Sequence, residues 1–512
     1  MEAREKRKIV LFYTMPTPDY WETVKYLPLS FPVGVFGIAG ILKKAGYLPV
    51  IIDATVERDY LERLDREIDE SVLYLGISTM TSGVPQGIEV SERVKKIHSS
   101  LPIVWGGVHP TIFPLETLAD PVVDFVCVGE GEYVAKQLAD RLRSGEGFEG
   151  IPGLGFKKNG TLSLNSGFCH LEDEELPPPD YSVIDMDKYL VRYTTPFTGE
   201  KDPARVVAIH GGRGCTYKCT FCISTLEAWG RRRDKKSAQL VNEVEEAITR
   251  FDAEIIYFQD DNFFSSRKRA LDFFAGCRER GLKFRWIASA HSDYFNNEYL
   301  NDDFFQKYCV GPISCINIQI GVESASERIR KFIKKMARLD RVRQAAHLSK
   351  KYSVPMAFAF MVGIPTETRK EMLETANFML ELRALSPYAA ATYQFYRPYP
   401  GAELYQLAIK MGYQTPQTLR EWASYVVADT GFLPAGELPW IDDTTFLRKM
   451  IWCMTVLNVP EGMLPATYLP FYRLARQWIL WRIRRNFWRV PIDFWILDTR
   501  FWKKGFLSLK NA

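Results

Sequence analysis

Along residues 1–150, short apolar runs alternate with stretches of helical period. KIVLFYT (Lys8–Thr14), LPVIID (Leu48–Asp53), VLYLGIST (Val72–Thr79), PIVWGG (Pro102–Gly107) and DFVCVGEGE (Asp124–Glu132) read as strands. VGVFGIAGILKKAGY (Val33–Tyr47), the stretch Pro85–Ser99 and one beginning near Thr111 read as helices. Alternation of this kind predicts a doubly wound α/β domain, with a parallel sheet covered on both faces and ligands bound beyond the carboxyl ends of its strands. Those ends carry Ser78, Thr79 and Thr81, then Gly106, Gly107, Val108 and His109, then Gly129, Glu130 and Gly131. Glycines there let a ligand approach the backbone, and hydroxyls can hydrogen-bond it.

HLEDEELPPPDYSVID (His170–Asp185) is too polar and too rich in proline for a helix interior or a central strand, so residues 151–200 read as a linker. A second alternation follows, assigned to residues 201–425, with strands at RVVAIHGGRGC, AEIIYFQDDNF, FRWIASAH (Phe284–His291), CINIQIGVES (Cys315–Ser324), MAFAFMVGIP (Met356–Pro365) and AATYQFYRPYP (Ala390–Pro400). Six strand–helix units are a partial version of the eight-stranded barrel, whose sites lie at the strands' carboxyl ends. Residues 426–512 lose the alternation and read as helical. Trp481, Trp488, Trp495 and Trp502 recur there every seven residues, a period that places them on one helical face, although Pro491 must kink or restart the helix. They read as a helical subdomain that packs its tryptophans on the barrel with its arginines solvated; the alternative, from the arginines around the tryptophans, is an interfacial membrane helix.

Composition narrows the class. Hydrophobic residues make up 46% and charged residues 25%, which fits a soluble globular chain, and a net charge of +4 gives no case for a nucleic-acid partner. Neither a signal peptide's apolar region nor an apolar run of roughly 18 residues is present, so a cytoplasmic protein is expected, membrane-associated if the tail docks. Nine cysteines without paired spacing do not form a disulfide framework. Three of them, Cys215, Cys219 and Cys222, crowd into GCTYKCTFC (Gly214–Cys222). Three thiolates from one loop are half of a zinc site, or the ligands of a four-iron four-sulfur cluster with one iron left open.

The downstream motifs favour the cluster. CxxxCxxC with Phe221 before its last cysteine resembles the radical S-adenosylmethionine (SAM) superfamily, as do FQDDNF, IGVES (Ile320–Ser324), GIPTET (Gly363–Thr368) and RPYPGAELY (Arg397–Tyr405), in the same order. The resemblance implies a 4Fe–4S cluster on the three cysteines. It also implies SAM held by Phe221, Asp260, Asp261 and Glu323, and a substrate met by Tyr393, Tyr396 and Arg397. PVGVFGIAGILKKAGYLPVIIDA, GGVHPT and GEGE resemble the Rossmann-like cobalamin-binding domain that precedes the barrel in many such enzymes. Asp53–Ala54–Thr55–Val56 stands where other cobalamin domains carry DxHxxG, so no histidine is expected below cobalt; His109 is assigned a contact with the cofactor's tail or through its backbone. The implied activity is C-methylation, with a methyl carried from SAM by way of methylcobalamin to an unactivated carbon of a small-molecule or lipid-like substrate. The alternative is an oxidative cyclase or rearrangement enzyme with the same cofactors. A low-potential electron donor such as flavodoxin or ferredoxin is implied, and no side chain is assigned as a general base.

Overall fold

The computed structural model describes residues 7–15, 31–172, 176, 180–190, 192–193, 204–428, 438–458, 467 and 469–489. Two seven-stranded sheets organise them. The first contains β1 (Lys8–Tyr13), β2 (Leu48–Asp53), β3 (Val72–Ser78), β4 (Ile103–Gly106), β5 (Phe125–Cys127), β6 (Leu154–Lys158) and β7 (Thr161–Leu164), in the order β2-β1-β3-β4-β5-β6-β7. β1 to β5 are parallel and β6–β7 form an antiparallel edge. β1 shows why its run is apolar without a break: Ile9 and Leu11 enter the core on one face, Val10 and Phe12 the core on the other.

The second sheet contains β8 (Arg192–Tyr193), β9 (Ala204–Ile209), β12 (Ile255–Phe258), β13 (Phe284–His291), β14 (Ile313–Glu323), β15 (Met356–Val362) and β16 (Ala389–Phe395); β10 (Gly212–Arg213) and β11 (Arg233–Asp234) make a separate ribbon. β9 and β12 to β16 are parallel and lie in chain order, which is the expected six-unit partial barrel. In β15 and β16 alternate residues are buried under the outer helices, and the others face the barrel interior.

Several features depart from the sequence reading. Residues 154–164 are not linker: their hairpin extends the first sheet past residue 150, pairing with β5. The Leu419–Ala428 helix straddles the expected boundary at 425 and returns to the first domain, where Arg420 pairs with Asp120 at 2.7 Å and Trp422 packs on His109 and Phe113. The helical C-terminal region holds the Thr444–Asn458 and Leu469–Arg485 helices. Its tryptophans do not share a face: Trp481 is exposed, while Trp488 lies past the helix end and is buried against Phe446. Trp495 and Trp502 lie outside the described residues. No helix among the described residues is long and apolar enough to cross a membrane.

At the end of β2, Asp53 closes a buried turn. Its carboxylate accepts from Thr55 N (2.8 Å), Thr55 Oγ1 (2.6 Å) and Tyr189 Oη (2.8 Å), which ties the segment before the barrel to the first sheet. Burial, against these hydrogen bonds, pushes its carboxyl from 3.8 up to about 6. A raised folded-state value means that the native chain holds the proton more tightly, so Asp53's contribution is present below pH 3.8 and is lost as pH rises through about 6. Wild type is expected to lose about 3 kcal/mol relative to Asp53→Asn across that window, at 1.36 kcal/mol per pH unit. Urea titrations of both proteins at stepped pH measure it; a constant gap between them would refute the assignment.

Candidate active site

The carboxyl ends of the two parallel sets of strands border one cleft of about 420 Å³. One wall is a glycine shelf from the first domain: Gly76, Gly106, Gly107, Gly129 and Gly131, with Ser78, Val108 and Glu130 among them. The other is the barrel mouth, with His210, Arg213, Gly214, Ser224, Trp229, Gln259 and Asp261. Two glycines are required by the backbone. Gly107 sits at φ 95°, where a Cβ would stand 2.6 Å from Thr79 O; Gly129 sits at φ 86°, where one would stand 2.8 Å from Ala228 O, across the domain boundary.

A buried ion network joins the walls. Glu130 receives both terminal nitrogens of Arg233 at 2.8 Å and the Leu171 N–H at 3.1 Å, and Arg213 bridges Glu130 (3.2 Å) and Glu132 (2.5 Å). Burial pushes the Glu130 carboxyl up, but the Arg233 hydrogen bonds and the charges of Arg213 and Arg233 outweigh it, and the net shift is down.

The cysteine loop leaves β10 through Gly214 at φ 80°. Its backbone is held from outside: Arg232 donates to Gly214 O (2.7 Å), Thr220 N donates to Ile333 O (3.0 Å), and Leu404 N donates to Thr220 O (2.8 Å). The Cys219 thiol faces Lys334 O at 3.8 Å. Burial raises the Cys215 and Cys219 thiols, the latter to about 11; the charges of the other loop thiols add to this, and Lys335 opposes it. All three cysteines are unpaired, and among the described residues no three His, Cys, Asp or Glu side chains converge on a single ion. The thiols lie within electrostatic reach of one another.

The sequence-predicted residues divide. Ser78, Gly106, Gly107, Val108, Gly129, Glu130 and Gly131 line the cleft; Thr79, Thr81 and His109 do not. Thr79 is buried and bonded to Thr14 and to Met80 O. The His109 ring is fully buried behind the shelf, facing Thr81 Oγ1 at 3.3 Å and packed on Phe113 and Trp422. Burial pushes it down to about 3, so it is a neutral core histidine whose side chain does not reach the cleft, and of the expected contacts only one through its backbone fits this placement. Asp261 faces the cleft and accepts from Ser224 Oγ at 3.0 Å. Asp260 does not: its carboxylate accepts Gly211 N at 2.7 Å and Arg232 at 2.9 Å, which fixes the end of β9. Glu323 ends β14 at φ 69° with Lys335 3.7 Å away, and burial raises its carboxyl despite that charge. Phe221 packs with Ile333, Ile364 and Tyr396 beside the loop. Tyr393 faces the outer helix layer and donates to Met372 O at 3.1 Å; its neighbours Thr392 and Gln394 face the barrel interior. Tyr396 is buried among apolar side chains, and Arg397 lies over the Phe395 ring.

Two histidines carry positions that the sequence reading passed over. His210, at the end of β9, is the histidine on the cleft wall, held neutral by burial near pKa 4 although Asp260 opposes the shift. His291, at the end of β13, stacks on Tyr217 of the cysteine loop, centroids 3.9 Å apart. Both end a barrel strand, and that position was the signal available.

Residues 209–379 match the radical SAM superfamily and residues 23–139 the B12 binding domain. An uncharacterized methyltransferase of Pyrococcus horikoshii is 28% identical over 383 residues, 74% of this chain and 78% of that protein. The anaerobic magnesium-protoporphyrin IX monomethyl ester cyclase of Rubrivivax gelatinosus is 24% identical, covering 73% and 66%. The cytidylyl-2-hydroxyethylphosphonate methyltransferase of Streptomyces wedmorensis is 23% identical, covering 76% and 79%. The fold is shared with the radical S-adenosylmethionine methyltransferase TsrM of Kitasatospora setae, solved with cobalamin and a 4Fe–4S cluster: TM-score 0.61 at 16% identity, over 80% of this chain and 76% of that one. It is shared also with the cobalamin-dependent S-adenosylmethionine radical enzyme OxsB, at TM-score 0.65 and 16% identity, over 96% and 74%.

Proposed function

We propose that this chain, with a radical SAM match over its barrel and a B12 binding domain in front of it, is a C-methyltransferase that uses a 4Fe–4S cluster, SAM and cobalamin and acts on an unactivated carbon. The observation that carries the reading is the shared cleft: the glycine shelf and the cysteine loop at Gly214 border the same space. When bound, the cluster supplies the electron that cleaves SAM to a 5′-deoxyadenosyl radical, and cobalamin supplies the methyl group.

Each wall of the cleft has its own task. Cys215, Cys219 and Cys222 hold the cluster. Glu323 and Asp261, set at the barrel mouth, take the polar end of SAM, with Phe221 packed alongside. The shelf at Ser78, Gly106–Val108 and Gly129–Gly131 holds cobalamin, and no protein imidazole approaches from the His109 side. Thr392 and Gln394, which face the barrel interior where Tyr393 does not, meet the substrate's polar groups; the small side chains Ala357 and Ala359 beside them leave room for its carbon skeleton. Glu323→Ala is expected to weaken SAM binding roughly tenfold to a hundredfold, the loss of a charge-assisted hydrogen bond, with iron content unchanged. Equilibrium dialysis with labelled SAM measures this, and unchanged affinity would remove Glu323 from the site.

The cyclase relatives favour a second reading, an oxidative cyclisation with the same cofactors. An anaerobic assay with reconstituted protein, SAM, a low-potential reductant and a lysate-derived substrate pool separates the two. Methyl transfer predicts 5′-deoxyadenosine and S-adenosylhomocysteine rising together in equal amounts. Deoxyadenosine alone would replace methylation by cyclisation.

A further inference from the structure

The Leu469–Arg485 helix buries Tyr472, Ile479 and Ile483 against the body of the protein and anchors through Tyr472 Oη, which donates to Val456 O at 3.0 Å. Its opposite face is apolar as well. Phe471, Leu474, Trp478 and Trp481 are 48%, 69%, 36% and 43% exposed. Their spacing of i, i+3, i+7 and i+10 keeps them within an arc of roughly 80° at 100° per residue. Trp478 and Trp481 stack on each other in this exposed stripe, centroids 5.0 Å apart. A helix that needs only one apolar face to fold has no folding reason to carry a second one.

Charge selects the occupant. Residues 469–489 hold six arginines and no acid, and Arg473, Arg484, Arg485 and Arg489 are exposed. At the helix's carboxyl end a recess of about 530 Å³ is bordered by Arg369, Lys449 and Arg489, with Asp443 the one acid on its wall, and by Trp488 and Phe446. Phe487, on the same wall, touches Trp481 and so joins the recess to the stripe. Tryptophans beside arginines, with a basic recess sized for a headgroup, match the boundary of an anionic bilayer, where aromatic rings sit at headgroup depth and arginines meet lipid phosphates. We propose that this face docks the protein on an anionic membrane surface, with the helix lying in the interface plane. Docking is independent of the chemistry in the cleft, and its test does not need turnover.

The experiment is co-flotation of the full chain, cluster and cobalamin loaded, with phosphatidylcholine vesicles containing or lacking phosphatidylglycerol. Strong binding is expected on the anionic vesicles only, weakened by added salt, with tryptophan fluorescence quenched by brominated lipid. Each arginine at an anionic leaflet gains about fivefold in partitioning, so Arg484→Gln/Arg485→Gln/Arg489→Gln is expected to lose well over tenfold. Leu474→Ser/Trp478→Ser/Trp481→Ser, all exposed in the folded chain, is expected to lose at least tenfold while keeping its circular dichroism and iron content. Absence of binding, equal binding to neutral vesicles, or full binding by the Leu/Trp variant would each overturn the proposal. Absence of binding together with a dimer mass that halves in the Leu/Trp variant would assign the stripe to a second copy of this chain.

Discussion

Replacing any one of Cys215, Cys219 and Cys222 by alanine is expected to reduce bound iron and 5′-deoxyadenosine formation to background while leaving the fold in place. The loop's backbone is held mainly by contacts other than its thiols, of which Cys219 donates to Lys334 O at 3.8 Å. The main contacts are Arg232 on Gly214 O, Ile333 O on Thr220 N, and Leu404 N on Thr220 O, and none of these involves a sulfur atom. The backbone of the variant therefore still presents two thiols in place, and two cannot retain a cluster that three bind with an open iron. For the half-buried Cys215 and Cys222 the apo protein is expected to lose less than about 1 kcal/mol. Cys277→Ala is the control: that thiol is fully buried in the barrel's apolar core, so the variant is expected to lose stability and keep its iron. Iron assay, visible absorption and urea unfolding of the four variants decide the matter. A loop variant with full iron content would show that the thiol it lost is not a ligand.

The second large effect falls on the joint between domains. Glu130→Gln leaves Arg233, 2% exposed, without the carboxylate that received both its terminal nitrogens, and it removes a partner of Arg213. Removing one partner of a buried pair typically costs about 3–5 kcal/mol, because the remaining charge stays desolvated. Because Glu130 and Arg213 line opposite walls of the cleft, cobalamin affinity is expected to fall with stability. Adding Arg233→Met should recover much of the stability, since the pair's absence is cheaper than its half-removal. The net shift of the Glu130 carboxyl is downward, so its contribution is present above the ordinary carboxylate range and lost as pH falls through the lowered value. The gap between wild type and variant should therefore close in acid. Urea titrations at neutral and acid pH, with cobalamin binding followed by absorbance, test both points; a variant as stable as wild type would show that the joint rests on apolar contact alone.

Much of the molecule could be read locally. Short apolar runs rich in β-branched and aromatic residues make strands, and longer runs of helical period make helices, which is why β1 to β5, β9 and β12 to β16 stand close to where the pattern put them. The Cys215–Cys222 loop is legible for the same reason: its ligands are neighbours in the chain, and a ligand set carried by one loop needs no long-range information. The order of the barrel motifs then implied the cofactors.

What could not be read depends on which face a residue occupies and on what crosses from another element. Tyr393 and Thr392 are adjacent, and a period of two sends one to the helix layer and the other to the barrel interior; only packing says which. His109 follows a shelf glycine but turns into the core made with a helix some 300 residues later, near Trp422, while His210 takes the place on the cleft wall. Asp260 and Asp261 look equivalent in FQDDNF, yet one is spent on Gly211 and Arg232 and the other faces the cleft. Trp481 and Trp488 keep a helical period in the chain, but the helix ends between them. The sequence by itself determined most of the strands and the cysteine loop, because short-range periodicity and spacing specify them, and its motifs carried the resemblance that implied the cofactors. The tertiary structure alone decided the cleft, its ion clamp and which face of the Leu469–Arg485 helix stays exposed, because these depend on burial and pairing between segments that are distant in the chain.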